Sequence, residues 1–416
     1  MLSYPSMTSN GSRLRVLQIG KYFAPRHGGI ESHLRDLCSE LRKFVDLKVI
    51  VANDRLRQDR ASIEGTDVTR LGRVMTLASA PICPAMVNSI RRERADIVHL
   101  HLPNPAAAIA CLIGRPSGAI VITWHSDVVR QQRLARLYQP LERILLERCS
   151  AIVATSPAYI AGSPVLRMHA NRCHLIPYGI DAGQFDDDRV DQSLVEKLRQ
   201  RFGPRIILSV GRLVYYKGIK FLIRAMAKVD AKLVIVGEGP LRAELEREAA
   251  ISGTSDRVIF LGEIEDNLTS YYHASDVFAL PSCERSEAFG IVQLEAMACG
   301  RPVVNTQIDS GVPYVSLDGV SGFTVQPKSS DAMATALNRL LDNPELRMRM
   351  GRAARERAVA EFGIREMTAR TLELYRSVLF MDNRNGIRGD AARLQSDHCA
   401  ANEDGHAAFR HTEAGT

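Results

Sequence analysis

Two glutamates eight positions apart, Glu287 and Glu295, lie astride Gly290 in the stretch SEAFGIVQLEAMACGRPVVNT that runs from Ser286 to Thr306. The apolar run, the stop at Cys299-Gly300-Arg301-Pro302 and the β-branched residues beyond it read as loop, helix, stop and strand. A helix that starts near Phe289 or Gly290 leaves Glu287 in the loop before its N-terminus and sets Glu295 more than a turn inside. The N–H groups of Phe289, Gly290 and Ile291 then face outward as a small anion site, which the helix dipole strengthens. Ionised carboxylates only accept hydrogen bonds, so their natural partners are vicinal hydroxyls on either side of that anion. Hydroxyl, diphosphate, hydroxyl describes a nucleotide sugar. An amphipathic helix with two solvated glutamates fits the same spacing, and the rest of the chain must decide.

Five other places carry residues whose chemistry must be weighed. Arg212 and Lys217 stand in the loop Val210-Gly211-Arg212-Leu213-Val214-Tyr215-Tyr216-Lys217-Gly218 between a strand and a helix, where two cations can balance a departing diphosphate without a metal. A solvated Arg and Lys would look the same. Gly28 and Gly29 precede a helix after the first strand and let a phosphate approach the backbone, although the Gly-x-Gly-x-x-Gly spacing of a dinucleotide site is missing. His125, followed by Ser126 and Asp127, closes a strand and could meet a sugar hydroxyl, or be a satisfied structural histidine. His99 and His101 lack an acidic or cysteine companion at ligand spacing and read as structural or acceptor-lining. Asp186-Asp187-Asp188 formally matches a metal-binding Asp-x-Asp pattern but lies in a polar interval, and is expected to be solvated. No metal is expected.

These residues need a scaffold, and the pattern supplies one. Apolar β-rich segments alternate with helical patterns at 13–20, 47–53, 95–101, 119–125, 151–156 and 174–179, and again at 205–211, 232–237, 257–262, 276–282, 301–306 and 322–327. That alternation predicts an α/β fold of two doubly wound, Rossmann-like domains facing a central cleft. The expected limits are 13–185 for an acceptor domain, 186–203 for a linker and 204–364 for a nucleotide-sugar domain. A helix over 365–381 and a disordered tail over 382–416 follow. Ligands of such sheets bind at the carboxyl ends of the strands, where the motifs fall.

The 416 residues suit two domains, and 45% apolar with 24% charged residues is the composition of a soluble globular protein. A net charge of +7 suits anionic ligands or an anionic membrane surface and is too diffuse for nucleic acid. Eight scattered cysteines without close pairs read as thiols of a reducing compartment, by default the cytoplasm. The polar opening lacks a signal-peptide core and no apolar run is long enough to span a bilayer, so any membrane contact is expected to be peripheral; Arg91, Arg92, Arg94, Arg130, Arg133 and Arg136 could make it, or could equally be solvated helix faces.

Taken together, the stretch 287–295 with EAMACGRPVV, the loop 210–218, the VGEGP segment 236–240, the GGIE loop 28–31 and YGID at 178–181 resemble the retaining glycosyltransferases of the GT-B fold, family four. The resemblance covers about residues 13 to 380. It implies that Arg212 and Lys217 hold the donor diphosphate, and that Glu295 holds the ribose. It also implies that Glu287 with the amides of Phe289, Gly290 and Ile291 meets the donor sugar, that Gly29 lets the first loop reach the phosphate, and that His125 stands at the transferred sugar. Asp127, Glu238, Gly239 and Gly28 join the expected substrate-binding set, and the C-terminal helix is expected to cross back to the first domain and act with the linker as a hinge. IVHLHLPNP, TWHSDVVRQQ and ATSPAYIAGSPVL look like bacterial mannosyl- and rhamnosyltransferases that build O-antigen and other surface polysaccharides on lipid carriers. The implied activity is metal-independent transfer of a hexose, first mannose from GDP-mannose, to a lipid-linked or oligosaccharide acceptor at the inner face of the cytoplasmic membrane, with no cofactor. A UDP-sugar donor, a sugar-nucleotide epimerase on the same fold and a non-catalytic nucleotide- or glycan-binding subunit remain alternatives.

Overall fold

In the computed structural model, residues 12–381 are described except 27, 78–79, 128–131 and 265, and the side chains of 132–137. The expected tail at 382–416 and Arg130, with the side chains of Arg133 and Arg136, lie outside them, whereas Arg91, Arg92 and Arg94 are exposed.

The apolar segments expected as strands all form strands, as a parallel sheet covered on both faces needs residues that are apolar on both sides. The first sheet contains β1 (Arg15–Ile19), β2 (Asp46–Ala52), β3 (Asp59–Ile63) and β4 (Thr66–Leu71). A separate antiparallel hairpin, β5 (Met75–Leu77) and β6 (Ala80–Ile82), follows. The sheet is completed by β7 (Ile97–Leu102), β8 (Ala119–Trp124), β9 (Ala151–Ala154) and β10 (Cys173–Leu175), in the order β10-β9-β8-β7-β1-β2-β4-β3. All its pairs are parallel except β3 with β4, which alternation alone did not reveal. The second sheet holds β11 (Ile206–Val210), β12 (Lys232–Val236), β13 (Val258–Gly262), β14 (Val277–Ala279), β15 (Val303–Thr306) and β16 (Gly322–Val325), all parallel, in the order β13-β12-β11-β14-β15-β16.

Strand order reverses beside β1 in one sheet and beside β11 in the other. At such switch points neighbouring connections leave toward opposite faces and open a crevice at the strands' carboxyl ends. The Gly28-Gly29 loop follows β1, the Arg212 loop follows β11 and the Glu287 loop follows β14, so topology alone gathers these three loops at the cleft.

The chain crosses between domains at two adjacent points. Ile180 donates to Phe362 O at 2.8 Å and Ile364 donates to Ile180 O at 2.9 Å, a short parallel bridge. The crossing therefore falls ahead of the expected linker at 186–203, most of which belongs to the second domain. Its Gln192–Phe202 helix buries Leu198 and Phe202 in the second core with Ile206, Leu208 and Phe278. After Ile364 a helix over 364–381 lies on the first domain, where Met367, Leu372, Leu374, Tyr375 and Val378 join Val16, Leu41, Ile97 and Val121 in one apolar cluster. Among the described residues no helix is long and apolar enough to cross a membrane.

Leu372 is 2% exposed within that cluster. Leu372→Ala should lower stability by about 2–5 kcal/mol through lost burial and the cavity left behind, seen as a lower urea midpoint at unchanged slope.

Candidate active site

Glu287 and Lys217 form the most enclosed ion pair of the cleft, Nζ to Oε2 at 2.6 Å, with 11% side-chain exposure on each. Two loops make this possible. Gly211, at φ 141°, leaves room for the lysine to fold back, since a Cβ there would stand 3.2 Å from Lys217 Nζ. Ser282 Oγ donates to Glu287 Oε2 at 3.2 Å and fixes the carboxylate. An ammonium has three donors, so Lys217 retains N–H groups for a further anion while it holds Glu287. Arg212 is exposed in the same loop, within electrostatic reach of Lys21 and Glu31 of the first domain.

The helix starts at Ile291, with Gly290 as its N-cap at φ 76°. A side chain at 290 would meet Leu280 Cδ2 at 2.6 Å, so both conformation and space call for glycine. The Gln293 N–H is taken by Gly290 O at 2.9 Å, and the N–H groups ahead of it in this first turn lack intrahelical acceptors. Phe289 is buried with its ring 5.0 Å from that of Tyr178, and Gly29 lies next to Ile291, where the two domains meet. Four residues further in, Glu295 Oε2 accepts from Tyr272 Oη at 2.6 Å. The surrounding protein desolvates this carboxyl and raises its pKa, an effect the Tyr272 bond partly offsets. Glu287 in the loop and Glu295 along the helix stand as the spacing indicates. Gly239 packs so closely on Leu213 that a Cβ would sit 2.4 Å from its carbonyl oxygen, which braces the Arg212 loop.

Other expected site residues are placed differently. His125 is 2% exposed and both ring nitrogens are taken, Nε2 by His101 Nδ1 at 2.9 Å and Nδ1 by the Tyr178 hydroxyl. The His33 ring from the Gly29–Leu41 helix covers it at 5.3 Å. Of the two readings left open for His125, these contacts match the satisfied histidine, closed beneath Tyr178 and His33. The Asp127 carboxylate, expected to bind substrate, accepts from Trp124 Nε1 and Ser163 Oγ at 2.9 and 2.8 Å and pairs with Arg285 of the second domain at 3.0 Å, so it bridges the domains. Glu238 is exposed and pairs with Arg242 one helical turn on. Gly28 packs over the Glu31 carboxylate, where a Cβ would stand 2.3 Å from Oε2. Two members of the aspartate triplet are not simply solvated, since Asp186 pairs with Arg355 and Asp187 with His273 at 3.1 Å. Those pairs tie the triplet to the second domain.

Sequence reasoning missed Tyr272, Arg285 and Gln18, and it quoted Tyr178 within the YGID segment without giving it a role. Of the three missed residues only Gln18 left a signal, as a polar residue inside the apolar strand RVLQI. It is fully buried beside His99 and His101.

With this geometry in place, comparison with known proteins is decisive. The family model described as "Glycosyl transferases group 1" matches residues 191–357, and "Glycosyltransferase Family 4" matches residues 27–184. The chain is 33% identical over 372 residues to O-antigen chain mannosyltransferase C of Escherichia coli, covering 88% of this chain and 99% of that protein. The chain belongs to glycosyltransferase family 4. It is also 34% identical over 349 residues to D-rhamnosyltransferase WbpZ of Pseudomonas aeruginosa, covering 83% of this chain and 91% of the relative. Among solved structures, HepE of Anabaena in complex with UDP superposes with a TM-score of 0.71 at 21% identity, over 88% of this chain and 100% of HepE. That likeness establishes the two-domain GT-B fold, and this member of the family is a glycosyltransferase with Lys217, Glu287 and Glu295 on one side of its cleft.

Tyr272→Phe removes the bond that favours ionised Glu295, so the Glu295 pKa, already above the ordinary carboxylate range, should rise further. On lowering the pH the variant should protonate Glu295 before the wild type does. Carboxyl-carbon NMR titration of both proteins measures this, and equal titration would refute the coupling.

Proposed function

We propose that this glycosyltransferase moves a hexose, first mannose from GDP-mannose, to a lipid-linked or oligosaccharide acceptor in bacterial surface-polysaccharide synthesis, with retention of configuration and without a metal or cofactor. The observation that carries the donor assignment is the Lys217–Glu287 pair at 2.6 Å beside Arg212 and the glycine-capped helix start. It joins cations, free N–H groups and carboxylates in the order that a nucleotide sugar requires. The sugar and acceptor class rest on the two relatives, an O-antigen mannosyltransferase and a D-rhamnosyltransferase.

In this reading the donor diphosphate lies between Arg212, Lys217 and the first turn at Gly290. The acceptor hydroxyl oxygen bonds to the anomeric carbon from the face that the diphosphate leaves. The bond from that carbon to the phosphate oxygen breaks, its electron pair stays with the diphosphate, and the acceptor proton passes to the same leaving group. Positive charge from Arg212 and Lys217 stabilises the diphosphate as it departs. Glu295 accepts from the ribose hydroxyls and Glu287 from the sugar. His125 reaches the transferred sugar at Nδ1 when a sugar hydroxyl takes the place of Tyr178. Synthesis on a lipid carrier puts the protein at the inner face of the cytoplasmic membrane, in peripheral contact.

A UDP-sugar donor is the second reading, favoured by HepE, whose solved structures include complexes with UDP and UDP-glucose.

Incubation with GDP-mannose, UDP-glucose and UDP-N-acetylglucosamine, with and without a lipid-linked acceptor, should give product from GDP-mannose only when acceptor is present, with the anomeric configuration kept and little effect of EDTA. Donor consumption without acceptor would indicate an epimerase, and an inverted product would end the retaining reading. Arg212→Ala and Lys217→Ala should each lower kcat about 10²–10³-fold, and wild-type rates in both would remove them from the diphosphate site.

A further inference from the structure

Beneath the cleft lies a run of buried polar side chains in the first domain's sheet. Gln18 on β1, His99 and His101 on β7 and Thr123 at the end of β8 share one layer, and His125 follows β8 directly. All are at most 2% exposed. Such groups persist in a core only when they satisfy one another.

One amide places every hydrogen in the run. Gln18 Nε2 donates to the Tyr375 hydroxyl at 2.9 Å, so Gln18 Oε1 faces His101 Nε2 at 2.8 Å. An amide oxygen only accepts, so His101 carries its proton on Nε2. Burial pushes the pKa values of His101 and His125 well below the ordinary value, so both rings are neutral and each has one bare nitrogen. His101 Nδ1 is bare and accepts from His125 Nε2–H at 2.9 Å. His125 Nδ1 is then the bare nitrogen, and accepts from the Tyr178 hydroxyl. In the other direction, Tyr375 gives its own hydrogen to His99 Nδ1 at 2.6 Å, and His99 Nε2 donates to Thr123 Oγ1 at 2.7 Å.

We infer that Gln18 and Tyr375 are positioning residues that hold His125 in the Nε2–H form, with its basic Nδ1 turned toward Tyr178 and the Phe289 loop. Tyr375 sits on the helix that returns from the far end of the chain, so docking of that helix and the proton placement on His125 are one arrangement. The consequence for transfer rests on the reading of His125 given above: at Nδ1 it accepts a hydrogen bond from a sugar hydroxyl and does not donate one.

A second arrangement of the same residues is a metal site. Ligand nitrogens of His33, His101 and His125 lie within 4.8 Å of one another, and His33 Nδ1 is buried without a partner. The bond between His101 and His125 uses two of those nitrogens on each other, and no carboxylate joins the group to balance a dication.

The test uses full-length protein with ¹⁵N-labelled histidine. At neutral pH, long-range proton–nitrogen spectra should show His101 and His125 protonated on Nε2 and bare on Nδ1. Gln18→Leu should mix the two tautomers of both rings and lower kcat roughly tenfold to a hundredfold, as misplacement of a reacting group does, with the donor KM within about twofold of wild type. Tyr375→Phe keeps the ring packing and should shift the same signals. A wild-type His125 protonated on Nδ1, an unchanged spectrum in Gln18→Leu, or a stoichiometric metal ion in the purified protein overturns the inference. Mixed tautomers with wild-type kcat would leave the positioning intact and remove His125 from the reaction. If Gln18→Leu fails to fold, the wild-type spectrum still decides.

Discussion

The structure depends on the return of the 364–381 helix to the first domain. Two doubly wound sheets have no reason of their own to present their carboxyl edges to each other. Here the chain passes between them twice at one place, through the bridge between Ile180 and Gly363, and the last helix then fills an apolar gap over Val16, Ile97 and Val121. Burial of those side chains is worth roughly 1.5–3 kcal/mol each. The cleft thus draws its geometry from a cluster far from its chemistry.

Electrostatics across the cleft are divided between the domains. The second domain supplies Arg212 and Lys217 with the helix start at Gly290, and the first supplies Lys21 and Glu31. Burial lowers the Lys21 pKa and raises that of Glu31, while Glu31 works against the first shift and Lys21 and Arg212 against the second. Charges of this kind interact more strongly with a bound dianion than solvated ones do, because less water screens them. The bridge from Asp127 to Arg285 adds a polar contact between domains at the rim.

Much of this was legible in the sequence, for a physical reason. The sheets, their parallel sense and the two glutamates follow from local patterns: apolar runs of strand length, and a glycine before a helix. The switch points then carry the loops to the cleft whatever the side chains do elsewhere. What stayed hidden depends on contacts between distant residues. Nothing local marks Tyr272 as the partner of Glu295, 23 positions away, or Asp127 as the partner of Arg285. The antiparallel pair β3 and β4 shows too little alternation of burial to be read as a hairpin, and the helix-like segment that ends the polar interval does not itself reveal that Leu198 and Phe202 pack in the second core.

His125 shows the limit most clearly. A histidine at a strand's carboxyl end suggests an open imidazole, yet here it is one of four buried rings held neutral, with the pKa values of His33 and His99 pushed down to about 3. Neutrality suits the proposed donor site, in which a dianion lies beside two glutamates. A charged imidazolium under the Gly29 loop would attract Glu287 or the diphosphate toward the first domain and compete with Lys217 and Arg212 for them. Desolvation removes that competitor and leaves a ring whose orientation is set by hydrogen bonds alone, so that in the function proposed above the cations at the diphosphate and the imidazole at the sugar work through separate interactions.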